Sequence, residues 1–280
     1  MLVREQDNVT FMQFPHLSGF DDIKHAVFTR NSGKSRKPYN SLNVGFGVGD
    51  EDQNVVENRE ILSRCIGATD LIFMDQVHGT RVLVIAEDEA PFLPDDTKNS
   101  TESDSIAVLN NASGGFDPDA EQGLVGDALI TNTPENFLVV QVADCQSILL
   151  YDPMVKVVSN IHSGWRGSIN NIIGSTVQAM TTYFGCASSD IVAGIGPSLG
   201  PCCAEFINYK KEIPEKFWQY KGADNHFDFW SASLDQLCQA GVLSENIHLS
   251  RICTKCNTDL FFSFRGEGAT GRFATLIGLV

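Results

Sequence analysis

Three residues carry the strongest chemical signal. His78 breaks the segment Asp75-Gln76-Val77-His78-Gly79. Cys145 ends Val142-Ala143-Asp144-Cys145, and His162 follows Val157-Val158-Ser159-Asn160-Ile161 and opens Ser163-Gly164-Trp165-Arg166-Gly167. Each sits where an apolar run gives way to a turn, and such strand ends are where sites are built on a rigid scaffold. Two imidazoles and a thiolate suit a borderline-soft ion, and three protein donors with one open position is the pattern of a catalytic zinc centre. The same set suits copper in an electron-transfer site. Positions 78, 145 and 162 are too far apart for spacing to help. Packed, hydrogen-bonded side chains are the plain alternative, and a Cys145–His162 nucleophile pair is another.

Other residues could support such a centre. Asp127 and Asp144 lie in apolar surroundings, and a buried carboxylate needs a partner. Either could orient a metal-bound histidine or act as general base. Capping a turn is the alternative, and it fits Asp127 better than Asp144. Arg166 lies between glycines that allow a ligand close approach. With Arg59, Arg265 and Arg272 it could bind an anion such as phosphate, since the guanidinium fork suits bidentate contact. Surface ion pairs are the alternative for each, and the preferred one for Arg272. Cys253-Thr254-Lys255-Cys256 is a lone CxxC. Cys202-Cys203, beside Gly200-Pro201, is not placed to close a four-cysteine site easily, so these four read as structural thiols.

The elements that must position these residues follow from the hydrophobic pattern. Strands are expected at 25–30, 71–74, 81–86, 129–130, 137–142, 148–151, 155–161, 191–195 and 272–280. Helices are expected from an Asp50 N-cap with Gln53 in a capping box to Gly67, and over 167–184, 210–219 and 231–240, the last ended by Gly241. Residues 87–122 hold ten acidic residues against one lysine and read as a solvated acidic insertion, with a strand only at 106–109. Strands and helices mix without regular βαβ alternation, and neither a Walker loop nor a dinucleotide fingerprint is present, so a single mixed domain over 1–280 is expected.

The net charge of −15 argues against nucleic acid and anionic membranes as partners. No run reaches the roughly 18 apolar residues of a membrane span, and the first 30 residues show no signal peptide. Eight cysteines in a chain of this length suggest a reducing, cytoplasmic setting. A monomer or weak homo-oligomer is expected.

Read in order, several segments match one family: Ser41-Leu42-Asn43-Val44-Gly45, Val48-Gly49-Asp50, Glu57-Asn58-Arg59, Asp75 to Gly79, Asp127-Ala128-Leu129, Ala143-Asp144-Cys145, His162 to Gly167, Gly196 to Cys203, and Phe261 to Arg265. Over about residues 25–280 the chain resembles the purine nucleoside phosphorylase family formerly called multicopper polyphenol oxidase or laccase-domain proteins, which includes peptidoglycan-editing factors. The resemblance implies an α+β fold, an α-β-β-α layered sandwich with mixed sheets. It also implies a metal site on His78, Cys145 and His162, taking zinc, with copper the other candidate. The implied reaction is phosphorolysis of adenosine, inosine, guanosine and methylthioadenosine, with adenosine deamination beside it. The nucleoside and phosphate partners would be met by Asn43, Arg59, Gln76, Arg166 and Arg265, with Cys145, His162 and Asp144 as catalytic candidates.

The chain departs from the family pattern in four places. Residues 265–268 read Arg-Gly-Glu-Gly where two arginines and an acid usually precede the glycine. Ala204 replaces a common aromatic residue, Gln146-Ser147 replaces a frequent Leu-Pro, and the acidic insertion is long. Three other functions compete. A four-copper oxidase needs more histidines than the six present. A peptidoglycan-precursor hydrolase would need a wide cleft beside His162 rather than a narrow purine slot. A non-enzymatic zinc protein would need a fourth ligand such as Cys202.

Overall fold

The structure, a computed structural model, describes residues 1–68, 70–86, 106–110 and 124–280, with the backbone alone described at 109 and 110. The layering follows from strands apolar on both faces. In the strand Asn136–Val142, Leu138 and Val140 face one core, while Phe137 and Val139 face another. Successive side chains point to opposite sides, so a strand covered on both faces reads as a continuous apolar run.

That strand is β8 of a six-stranded sheet. In spatial order the sheet runs β1 (Leu2–Gln6), β2 (Val9–Gln13), β3 (Ile23–Phe28), β13 (Phe273–Leu279), β8 and β4 (Asp70–Ile72). All its pairings are antiparallel except β4 with β8. The second sheet has seven strands: β12 (Ile247–Leu249), β11 (Val192–Ile195), β9 (Gln146–Asp152), β10 (Val157–Ser163), β7 (Ala128–Thr131), β5 (Val82–Ala86) and β6 (Ile106–Asn110). It is mixed, with β11–β12, β5–β6 and β5–β7 parallel.

The sheets pack face to face. Val27, Leu138, Val140 and Ile277 of the first meet Leu83, Leu129, Leu149 and Val158 of the second. Helix α1 (Asp52–Ile66) covers the outer face of the first sheet through Leu62, Cys65 and Ile66. Helices α3 (Ile172–Phe184) and α5 (Phe229–Gln239) cover the second through Ile173, Val177, Met180 and Leu237. The α-β-β-α order that the resemblance implies is present. No helix among the described residues is long and apolar enough to cross a membrane.

Several local expectations need correction. The Asp50 capping box does not form. The N-cap is Glu51, while Asp50 accepts a bond from its neighbour's N–H and another from Asn43. The expected helix 167–184 is two helices, α2 (Trp165–Ile169) and α3, separated where Asn171 turns left-handed (φ 62°) and caps α3 through Gly174 N–H. The expected helix 210–219 is a short α4 (Tyr209–Glu212) and a 3-10 turn (Glu215–Tyr220) on either side of Pro214, which cannot continue a helix. The β1–β2 hairpin, turning through left-handed Asp7 and Asn8, was not expected. The strand 106–110 is present, but the rest of the acidic insertion lies outside the described residues.

A polar tie crosses the apolar interface. Asn160 of β10 is fully buried and donates to the carbonyls of Leu138 (3.0 Å) and Thr275 (2.9 Å) in the opposite sheet, while Ser147 donates to its Oδ1 (3.0 Å). Asn160→Ala should lower stability by about 1–3 kcal/mol, because the buried partners lose their mates. The check is a urea melt, with a lower midpoint and an unchanged slope.

Candidate metal centre

Strand register brings the three donors together. β10 pairs antiparallel with β7, and one step past Ile161↔Ala128 the His162 N–H donates to the Asp127 carbonyl (2.7 Å). On its other side β10 pairs with β9, placing His162 opposite Ser147 and Ser163 opposite Gln146, so Cys145 arrives beside Gly164. Cys145 belongs to the turn Ala143–Cys145, where the chain leaves β8 of one sheet and enters β9 of the other. Asp144 makes that crossing in a left-handed conformation (φ 88°). His78, also left-handed (φ 60°), sits in the loop between β4 and β5.

The donor atoms of His78, Cys145 and His162 all lie within 4.8 Å of one another. Cys145 Sγ is 3.8 Å from His78 Nε2, and the imidazole rings stand nearly perpendicular (84°) with centroids 4.8 Å apart. Donors at about 2.05 Å (nitrogen) and 2.3 Å (sulfur) from a tetrahedral ion stand about 3.6 Å apart, so this set fits a metal without large movement. A Cβ on Gly164 would come within 2.9 Å of the His78 ring and 3.3 Å of Cys145 Sγ, so only glycine leaves room for both side chains.

One carboxylate holds two of the three donors. Asp127 is fully buried. Its Oδ1 pairs with His162 Nδ1 (2.8 Å), which turns Nε2 toward the cluster. The same carboxylate accepts the backbone N–H groups of His78 (2.9 Å) and Gly79 (2.7 Å), fixing the turn that presents the His78 imidazole. Burial raises the Cys145 thiol, but the neighbouring His162 charge and bonds from both histidines more than offset it and hold the thiol at about 6. Burial lowers His162, yet Cys145 and Asp127 carry it up to about 9. Without metal, the pair is a thiolate–imidazolium between these values.

Asp144 has a different task from the one expected. Its Oδ1 accepts from Thr254 and Ser263 hydroxyls (2.6 Å each) and its Oδ2 from Arg265 N–H (2.6 Å). All these bonds anchor segment 254–265 to the turn that carries Cys145, so the histidine-orienting role belongs to Asp127 and the turn-fixing role to Asp144.

The donors open onto a cleft of about 1450 Å³. Arg59, Gln76, Arg166 and Arg265 line it. Arg59 lies between the rings of Phe73 (3.6 Å) and Phe46 (4.4 Å), and burial pushes its guanidinium down to about 10, against a pull from Asp75. Gln76 exchanges two 2.8 Å bonds with the Gln141 backbone. Arg166 is exposed over the Trp165 ring, and Arg265 donates to the Glu205 carbonyl (2.7 Å). Asn43 does not line the cleft. It is fully buried, bonding Gly45, Asp50 and the Arg272 N–H, and so shapes a loop rather than touching a ligand.

Arg272, expected in a surface ion pair, faces the cleft and feels the charges of Cys145 and Asp144. None of Arg59, Arg166, Arg265 and Arg272 pairs with a described carboxylate. Arg272 immediately precedes β13, so the anion-binding alternative fits it better than the surface ion pair. The departure at 265–268 places Glu267 against Arg30 (2.7 Å), away from the donors. Gln146 and Ser147 are absorbed into buried contacts with Phe229, Ser233 and Asn160.

Two facing mixed sheets, a helical layer outside each, and an open His-Cys-His cluster at the strand ends define a class of layered cleft proteins that bind metal. The chain belongs to the multi-copper polyphenol oxidoreductase laccase family, whose model matches residues 24–280. A purine nucleoside phosphorylase of Bacteroides thetaiotaomicron is 32% identical over 91% of this chain and 90% of its own length. The purine nucleoside phosphorylase YlmD of Bacillus subtilis is 31% identical, covering 90% and 86%. The crystal structure of YlmD from Geobacillus stearothermophilus superposes with a TM-score of 0.78 at 28% identity, covering 99% and 98% of the two chains.

Two outcomes follow. Asp127→Asn should weaken metal affinity about 10- to 100-fold, because His162 loses the carboxylate that fixes its tautomer; competition with a chromogenic chelator measures this. In metal-free protein, alkylation of Cys145 should rise with a midpoint near pH 6, where the thiol loses its proton. Asp127→Asn should move that midpoint up toward the ordinary thiol value, since a less basic His162 no longer stabilises the thiolate.

Proposed function

We propose that this chain is a zinc-dependent purine nucleoside phosphorylase. Its substrates in this reading are adenosine, inosine, guanosine and methylthioadenosine, with adenosine deamination as a second activity. The observation that carries the reading is the juxtaposition of the open donor cluster with four arginines and several aromatic rings in one cleft. The names of the relatives support it. Reading residues 1–280 as one domain, and placing the protein in the cytoplasm, belong to the same proposal.

In phosphorolysis a phosphate oxygen bonds to the anomeric carbon of ribose as the carbon–nitrogen bond to the purine breaks. The purine leaves with the electron pair and takes up a proton. The four guanidinium groups can hold phosphate against the protein's negative charge, with Arg166 the most accessible. Trp165, Phe206 and Phe229 offer faces for the base. Asp127 keeps His162 in one orientation, and Asp144 keeps the Cys145 turn against the Arg265 wall. His78, Cys145 and His162 would hold a metal ion, which would supply Lewis acidity to the cleft.

The cleft volume favours a second reading. Sites for small ligands usually span about 300–1,000 Å³, and this cleft is larger. Ala204, where the family often has an aromatic residue, lines it and adds to its breadth. A bulkier peptidoglycan precursor, hydrolysed with water as acceptor, would use that room. A four-copper oxidase gains no support, because among the described residues only His78 and His162 of the histidines join a metal-capable cluster.

The test is product analysis of zinc-loaded protein with adenosine, with and without phosphate. The phosphorylase reading expects phosphate-dependent adenine and ribose-1-phosphate, both lost in Cys145→Ala together with the metal. Metal-loaded protein with no turnover of any nucleoside would transfer the case to muropeptide hydrolysis. Arg166→Ala should raise KM for phosphate roughly 10- to 100-fold, the loss of a charged hydrogen bond, with kcat little changed. An unaltered phosphate dependence would remove Arg166 from the role.

A further inference from the structure

The four cysteines read from the sequence as separate structural thiols lie together. β11 and β12 are parallel neighbours, with Ile195 opposite Leu249. The segments that leave them stay paired, slipped by one residue relative to the strands. Ser198 N–H donates to the Ile252 carbonyl (3.1 Å), Thr254 N–H donates to the Ser198 carbonyl (3.0 Å), and Ser198 pairs with Cys253. Two loops distant in sequence therefore leave one sheet edge side by side, one carrying Cys202-Cys203 and the other Cys253 and Cys256. Their four sulfurs fall within 4.8 Å of one another. The sequence reading missed this because the parallel pairing of two short strands is invisible in the spacing.

We propose that Cys202, Cys203, Cys253 and Cys256 form a second metal site, a tetrathiolate that takes one thiophilic divalent cation, zinc by preference. Cys256 Sγ stands 3.7 Å from Cys202 Sγ and 3.6 Å from Cys203 Sγ. Four sulfurs placed about 2.3 Å from a tetrahedral ion are about 3.8 Å apart along each edge. A disulfide would require about 2.05 Å. Cys253 Sγ accepts the Gly200 N–H (3.3 Å) and the Cys256 N–H, the pattern in which backbone amides support a metal-bound thiolate from outside the ligand shell. Cys202 and Cys256 are exposed, which gives an ion an entry path, and Cys253 is buried. All-sulfur tetrahedral sets select zinc over oxygen-preferring cations.

The site staples the wall of the cleft. Leu199, Ala204 and Phe206 line the cleft from one joined loop. Thr254 and Ser263, which bind Asp144 beside Cys145, come from the other. The proposed cation is structural. It holds these two loops in register, and it is independent of the donors at His78, Cys145 and His162. Cys202 is grouped with this cluster, so it does not close the cleft site as a fourth ligand.

The experiment is metal analysis of protein purified under reducing conditions. Cys145→Ala, which lacks a donor of the cleft site, should keep one equivalent of zinc. Cobalt loaded into the same variant should show the strong ultraviolet charge-transfer and visible bands of a tetrahedral tetrathiolate. Cys145→Ala/Cys256→Ser should lose the equivalent and those bands, and Cys145→Ala/Cys256→His, which keeps a zinc-binding side chain, should retain the ion. That pair separates loss of a ligand from loss of folding, which circular dichroism checks in each. The proposal is overturned if Cys145→Ala binds neither zinc nor cobalt in a tetrathiolate environment, or if Cys256→Ser leaves the metal count unchanged. A Cys202–Cys256 or Cys203–Cys256 disulfide found by mass spectrometry in freshly isolated protein would overturn it as well.

Discussion

The buried carboxylate of Asp127 is the interaction on which the cleft depends. It pairs with the His162 ring and also accepts the two amide groups at the His78 turn. A carboxylate with no solvent contact is tolerable only when its charge is met by donors. Here the donors are the elements that must be aligned, so satisfying the charge and building the site are one event. The effect reaches further through Cys145, whose thiolate is favoured by the imidazolium that Asp127 stabilises.

Around that carboxylate the two sheets divide the work. The second sheet supplies His162 from β10 and sets Asp127 beside it through β7. The first sheet ends in the crossing turn that brings Cys145 to the same place. Asn160 and Asp144 hold the two sheets and that turn in relation to each other. Four arginines line the cleft, which places cationic groups there in a chain of net charge −15.

The strands and the candidate donors were legible in local pattern, while the layered order and the joining of His78, Cys145 and His162 into one site came from the resemblance. Long apolar runs such as 137–142 announce strands buried on both faces, and the residues that end them announce a strand-end site. What depends on pairing was not legible. For Asp127 the turn-cap and histidine-orienting readings stayed equally open because its partner His162 lies on a neighbouring strand, and Arg272 looked like surface because its cleft is built by other segments. Asn43 shows the converse error. A residue within a matched motif can serve the loop's own hydrogen bonds instead of the ligand. Helix ends failed where a side chain or imino acid overrode periodicity, as at Asn171 and Pro214.

The place of β13 has a consequence for how the protein comes into being. β13 lies between β3 and β8, joining the hairpin layer to the rest of the first sheet. A ribosome makes it after every other strand described. Until it arrives, β3 and β8 expose unpaired edges, which are ready templates for association with other chains. The partly made protein thus passes through an interval in which its first sheet lacks the strand that joins β1-β2-β3 to β8-β4. Closing that gap requires a contact spanning most of the chain, the kind that makes folding slow and leaves nascent chains dependent on chaperones.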